Sequence, residues 1–384
     1  MIPNPAIPAR KYTTYEQVKG VEPASRTKTL LPTLKSVLRG PRWLWHQVGL
    51  CAARVGVRNS CWASAYYLFF SRAFRREHLA VLAGHAKYSH YLRTASQNSP
   101  LLRRNVHRLE KGLLMVPRRD LFGLEYINET VDCFARCVQA SPDVAPDPES
   151  EQRWARDVLR QYFDVTPKDP RTAAAREQFE RIERRWTCSV PQLVPYRRQV
   201  DTRPTVCVED LLALARRRRS VRWFLPKAVP RQAIDKAMEV AAQSPSACNR
   251  QPFVFRVFDD PSLVRQVAEI PMGTTGYDHN IPVITVVVGQ LRNYFSERDR
   301  HLIYIDASLA AMAFAYALET QGLSTCMINW PDMEDREQRL AALLNLEPDE
   351  RPVMCMALGY PDPEGLVAYS QKKPLGQLRR YNLE

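Results

Sequence analysis

The sequence predicts an α+β domain over residues 201–384, preceded by a mostly helical basic region over 41–200 and an extended arm over 1–40. Three observations predict it. Helical and strand patterns alternate after residue 205, ending with buried-type apolar runs such as Pro282–Val288 (PVITVVV) and Pro352–Leu358 (PVMCMAL). Residues 188–206 carry several prolines and no periodicity, which marks a boundary. The charge is lopsided: positions 1–200 hold 33 basic and 18 acidic residues, whereas 201–384 hold 22 and 23.

The first hundred residues hold 15 basic residues against 3 acidic ones. Residues 1–40, rich in Pro, Thr and Lys, read as an arm. From about 42 to 95 the pattern is helical, with Trp43, Leu44, Val48, Trp62, Tyr66, Leu68 and Phe69 among spaced arginines. Such a stretch either packs its aromatic face on a domain or lies in a membrane interface. Its longest uncharged run, Asn59–Ser71, is 13 residues, short of the roughly 20 that span a bilayer. Residues 100–140 read as two helices around a proline turn, 143–151 as an acidic loop and 151–187 as charged helices.

In the second half, Val208–Arg219 and Arg231–Gln243 read as helices and Phe253–Phe258 as a strand. Leu302–Thr320 reads as a long apolar helix, suited to a core or an obligate dimer contact. Met333–Leu344 is a further helix. The segment from Gly322 to Asp332 reads as the end of the apolar helix running into a Trp/Pro loop.

Nine cysteines without a Cys-x-x-Cys or a disulfide-like spacing read as reduced thiols. With no secretory-type apolar segment at the N-terminus, they favour the cytoplasm. No metal site is expected. No P-loop, Gly-x-Gly-x-x-Gly, His-Glu-x-x-His or Gly-x-Ser-x-Gly occurs.

Three segments carry chemistry. Arg216–Phe224 (RRRRSVRWF) gathers arginines and a hydroxyl, the donor set that suits a phosphate or a solvated helix end. Ser244–Phe253 (SPSACNRQPF) places Asn249 and Gln251 in a turn of small residues, where amides offer both donor and acceptor to a polar ring edge. GLSTCMINWPD follows the apolar helix, and QKKPL near the C-terminus adds two cations.

Taken in order, RRSVRWF, SPSACNRQPF, YIDASLAAM, GLSTCMINW, PVMCMALGYPD and KKPL resemble the nitroreductase family of FMN-dependent oxidoreductases over residues 205–384. The resemblance implies a central mixed sheet flanked by helices, and an intertwined homodimer with two FMN at the subunit interface. It implies that Arg218, Arg219, Ser220 and Arg222 contact FMN, and that Pro245, Ser246, Asn249 and Gln251 lie along the flavin. Asn329 and Trp330 fall in the loop that brings a backbone amide to the flavin, here Asn-Trp-Pro in place of a small glycine loop. Lys372 and Lys373 fall near a basic pair for the phosphate. NADH or NADPH would reduce the flavin and an organic substrate would reoxidise it in ping-pong fashion, or the chain would run the reverse oxidation. No catalytic side chain is assigned. Two rival readings are a flavin-fragmenting or oxygen-using dehydrogenase, and a binding module without turnover.

The stretch LRRNVHRLEKGL with VPRRD resembles longer nitroreductase-like proteins. His107, Arg108, Glu110 and Lys111 in it read either as a polar site or as a salt-bridged helix surface. The basic excess of residues 1–100 suits an anionic membrane surface, polymer or protein. Nucleic acid is not expected, for want of a binding motif.

Overall fold

The computed structural model describes residues 48, 51–94, 100–140, 150–184, 193–198 and 204–383. The arm expected over 1–40 lies outside them. The chain divides into two compact units, Met1–Arg72 and Ala73–Glu384.

Within the first unit, residues 51–56 are helical and α1 spans Ser60–Phe69. The Asn59 side chain starts α1 by accepting from the Trp62 N–H at 3.0 Å.

The second unit opens with α2 (Arg75–Tyr91), α3 (Pro100–Leu113), α4 (Ile127–Gln139), α5 (Glu151–Val165) and α6 (Pro170–Glu183). Helices α3 to α6 bury one shared core of Leu102, Val106, Leu109, Val131, Phe134, Leu159 and Phe179. These residues sit at helical spacing in each segment, so each helix buries a single stripe. The Tyr162 hydroxyl donates to the Phe122 carbonyl at 2.7 Å, and burial pushes its pKa up to about 12.

The remaining elements are α7 (Val208–Arg217), α8 (Arg231–Ala242), β1 (Phe253–Phe258), α9 (Pro261–Ala268), β2 (Val283–Gln290), α10 (Leu302–Thr320), β3 (Ser324–Asn329), α11 (Glu334–Leu344), β4 (Glu350–Gly359) and α12 (Leu375–Leu378). The sheet order is β1-β2-β4-β3, antiparallel throughout. The parallel element of the expected mixed sheet is the bridge between Ser220 and Thr325. Strand β2 explains its own sequence. Val283 and Val287 face a cluster with α8 and α10, while Ile284, Val286 and Val288 face α9 and α11. A strand buried on both faces reads as an unbroken apolar run. The class is α+β.

The structure departs from the sequence reading around the sheet. The Gly322–Asp332 segment is not a loop throughout, because Ser324–Asn329 pairs with β4. The helix Pro261–Ala268 was not foreseen; Asp260 caps it through bonds from the Ser262 and Leu263 N–H groups, both at 3.0 Å.

Helix α2 docks on the turn after β2. A Cβ added at Gly84 would stand 2.6 Å from the Leu291 Cβ, so only glycine allows this approach. Ala80, Leu291, Tyr294 and Ile303 form the small core there. Lys87 of α2 reaches Glu347 and, at 2.9 Å, Asp349. Helices α2 to α6 thereby share one compact unit with the sheet.

Candidate functional site

The predicted residues fall into two groups at opposite ends of α10. At its C-terminal end, buried Glu319 accepts from Arg217 Nε at 3.0 Å and from Ser324 Oγ at 3.1 Å. This anchors the end of α7, and the chain then runs through Arg218 and Arg219 to Ser220, which bridges to Thr325. The expected helix Val208–Arg219 stops at Arg217, so the next arginines belong to an extended segment. Arg219 donates to the carbonyls of Ala368, at 2.7 Å, and Tyr369. Its guanidinium therefore holds the C-terminal segment. Arg222 is exposed, with its guanidinium carbon 5.8 Å from the Tyr277 ring centroid. Lys372 and Lys373 are exposed on the same C-terminal segment that Arg219 holds.

At the other end, buried Asp306 organises the Pro245–Gln251 turn. Its Oδ2 accepts from the Ala247 N–H at 3.0 Å and from the Tyr294 hydroxyl at 3.1 Å. Burial pushes the Asp306 carboxyl above its ordinary value, and the two hydrogen bonds and Arg250 pull the other way. Cys248, Asn249 and Gln251 adopt positive φ of 52°, 51° and 48°. Three non-glycine residues in the left-handed region mark stored strain at one turn. Ser246 Oγ accepts from the Gln251 N–H at 3.0 Å, and Gln251 Nε2 donates to the Ala242 carbonyl at 3.3 Å. Ser246 and Gln251 thus shape the turn itself. Pro245 is exposed at its start and Asn249 is half-buried.

Helix α3 closes this turn from outside. Arg103 Nε donates to the Asn249 carbonyl at 2.8 Å. Arg250 is buried, 3.8 Å from Asp299 and with its guanidinium carbon 4.9 Å from the Tyr294 ring centroid.

Asn329 is exposed at the end of β3, whereas Trp330 turns inward. The indole Nε1 donates to Glu337 Oε1 at 2.9 Å, and the same oxygen accepts from Arg351 at 3.1 Å. That leaves Trp330 only its backbone to offer a ligand.

His107 lies 3.4 Å from Glu110, which accepts from Trp154 Nε1 at 2.9 Å. Arg108 stacks on Tyr126, 3.7 Å from its centroid. These contacts make the group a knit between helices of the bundle. No cluster of His, Cys, Asp and Glu able to hold a metal occurs among the described residues.

Sequence reasoning missed Asp306, Tyr294, Arg250 and Arg103. Asp306 had a signal, being an acid near the start of an apolar helix, where a buried carboxylate must have donors. Arg103 had none, since its partner is 146 residues away.

The donor chemistry fits a phosphorylated flavin in two portions. Arg218, Ser220 and Arg222 offer cationic and hydroxyl donors in one portion, and the turn through Asn249 offers an amide in the other. Asp306 and Glu319 stand about 20 Å apart along α10, at 1.5 Å per residue.

The nitroreductase family model matches residues 215–360. Iodotyrosine deiodinase 1 of Sus scrofa is 26% identical over 198 residues, covering 44% of this chain and 68% of that protein. An iodotyrosine deiodinase of Haliscomenobacter hydrossis is 23% identical over 184 residues, covering 41% and 81%. Among solved structures, an FMN-dependent nitroreductase from Clostridium difficile R20291 superposes with a TM-score of 0.39 at 18% identity, covering 44% of this chain and 99% of that one.

Proposed function

We propose, from a chain whose residues 215–360 match the nitroreductase family model, an FMN-dependent oxidoreductase that takes electrons from NADH or NADPH and passes them to an organic substrate. The observation that carries this reading is the pairing of a cationic Arg218–Arg222 segment with a strained, Asp306-organised turn at Asn249. Bound FMN would supply the hydride chemistry. Arg218 and Arg222 would hold its phosphate through forked, charge-assisted bonds, with the Ser220 hydroxyl beside them. Asn249 would meet the polar ring edge, held in place by Arg103 and Asp306. The Asn249 side-chain amide would offer that edge both a donor and an acceptor.

The enzyme is proposed to work as a homodimer. The two portions of the site sit at opposite ends of α10 in one chain, and antiparallel packing of α10 against its copy would bring the ends together. The uncovered face of α10 supports this, with Ile305 53% and Leu309 46% exposed. So does α7, which buries no residue, and a C-terminal segment exposed from Glu364 to Leu383 except for the half-buried Gly365. We place the enzyme in the cytoplasm, on cysteines that form no disulfide framework.

A visible spectrum after gel filtration, repeated anaerobically with each nucleotide, tests the reading. Bound flavin that bleaches with NADH or NADPH is the expected result. Failure of FMN to bind would overturn it. Reoxidation by nitroaromatics, quinones and iodotyrosine then sorts the substrate classes, the last because relatives carry the deiodinase name.

A further inference from the structure

Helix α1 is apolar almost all round, with sequence SCWASAYYLF, and none of its residues is buried. A helix of that composition belongs in a protein core or in lipid. Trp62 is 56% exposed, Leu68 65% and Phe69 76%, and exposed Phe70 follows. Exposed Arg54, Arg58 and Arg72 flank the helix on both sides. No Asp or Glu occurs between Glu22 and Glu77.

We propose that residues 51–72 are a membrane-docking element that seats α1 in the headgroup region of an anionic phospholipid bilayer. At 1.5 Å per residue α1 is about 15 Å long, half of a hydrocarbon core, so it lies in one leaflet and does not cross. Trp62, Tyr66 and Tyr67 suit the interface, where an apolar ring and a polar tip are both satisfied. Leu68, Phe69 and Phe70 reach the acyl chains. Arg54, Arg58 and Arg72 meet lipid phosphates.

Charge selects this occupant. Two copies docking through α1 would bring both sets of arginines together with no acid to balance them. A soluble polyanion would satisfy the arginines and leave Leu68 and Phe69 in water. An anionic bilayer answers both.

The test is co-sedimentation of the full-length protein with phosphatidylcholine vesicles, with and without phosphatidylglycerol. Binding is expected to the anionic vesicles, and to weaken between about 0.1 M and 1 M salt as the screening length falls from about 10 Å to about 3 Å. Arg54→Glu with Arg58→Glu should lower binding by about tenfold or more, as expected for two charges at an anionic surface. Leu68→Ser with Phe69→Ser should abolish it, with circular dichroism showing that every variant is folded. Equal binding to neutral vesicles, or none to either, overturns the proposal. Unchanged vesicle binding by the Leu68/Phe69 variant, with a fall in its gel-filtration mass, also overturns it and makes α1 a protein contact.

Discussion

Arg103 Nε donates to the Asn249 carbonyl across 2.8 Å, tying α3 of the N-terminal bundle to the turn expected to carry the flavin edge. Asn249 is held at a φ of 51°, so the turn leans on bonds from outside it. Hydrogen bonds to charged groups contribute about 1.5–3 kcal/mol. Arg103→Ala should therefore raise the FMN dissociation constant about tenfold, with Arg103→Lys intermediate. Flavin fluorescence titration measures it, and an unchanged constant would mean the turn supports itself.

The arginines of the 216–222 cluster should separate by phenotype. Arg222 is exposed, with a long 3.4 Å bond to the Ser220 carbonyl and the Tyr277 ring nearby, whereas Arg219 holds the Ala368 and Tyr369 carbonyls. Arg222→Ala should release flavin on gel filtration, at a cost of about 2 kcal/mol of binding for a charged contact. Arg219→Ala should chiefly hasten proteolysis of the C-terminal segment, read by limited trypsin digestion and mass spectrometry.

Trp330 should behave as a core residue. Trp330→Phe deletes the indole donor to buried Glu337. Loss of a buried hydrogen bond costs about 1–3 kcal/mol, and urea melts should show it. FMN affinity should stay within twofold or so of wild type, because only the backbone of Trp330 is left to serve a ligand.

Asp306 sets a pH dependence. Burial raises its folded pKa above the unfolded value. Its favourable contribution is then complete below the unfolded pKa and declines as pH rises through the folded one. Asp306→Asn should flatten the change in unfolding free energy between about pH 4, near the ordinary carboxyl value, and pH 7. Urea titrations of both proteins at the two pH values check the slope.

Much of the second half was legible because its elements carry local signatures. The bounds of Phe253–Phe258 and Leu302–Thr320 match the sequence reading, one a compact aromatic and β-branched run and the other long and apolar. Strand β3 was not legible. Ser324–Asn329 mixes small and polar residues, and its strand character comes from pairing Met327 with Met356. The resemblance could not tell that Gln251 and Arg219 are occupied by structural bonds. The α3 contact was out of reach, since nothing local to Arg103 encodes Asn249.

The length of α10 has a genetic consequence. In the proposed dimer each site draws its arginines from one gene product and its turn from the other. Two defective alleles, Arg222→Ala and Asn249→Ala, would each be inactive alone. Co-expressed, they would form mixed dimers in which one site carries both lesions and the other carries none, so that activity returns from two non-functional parents.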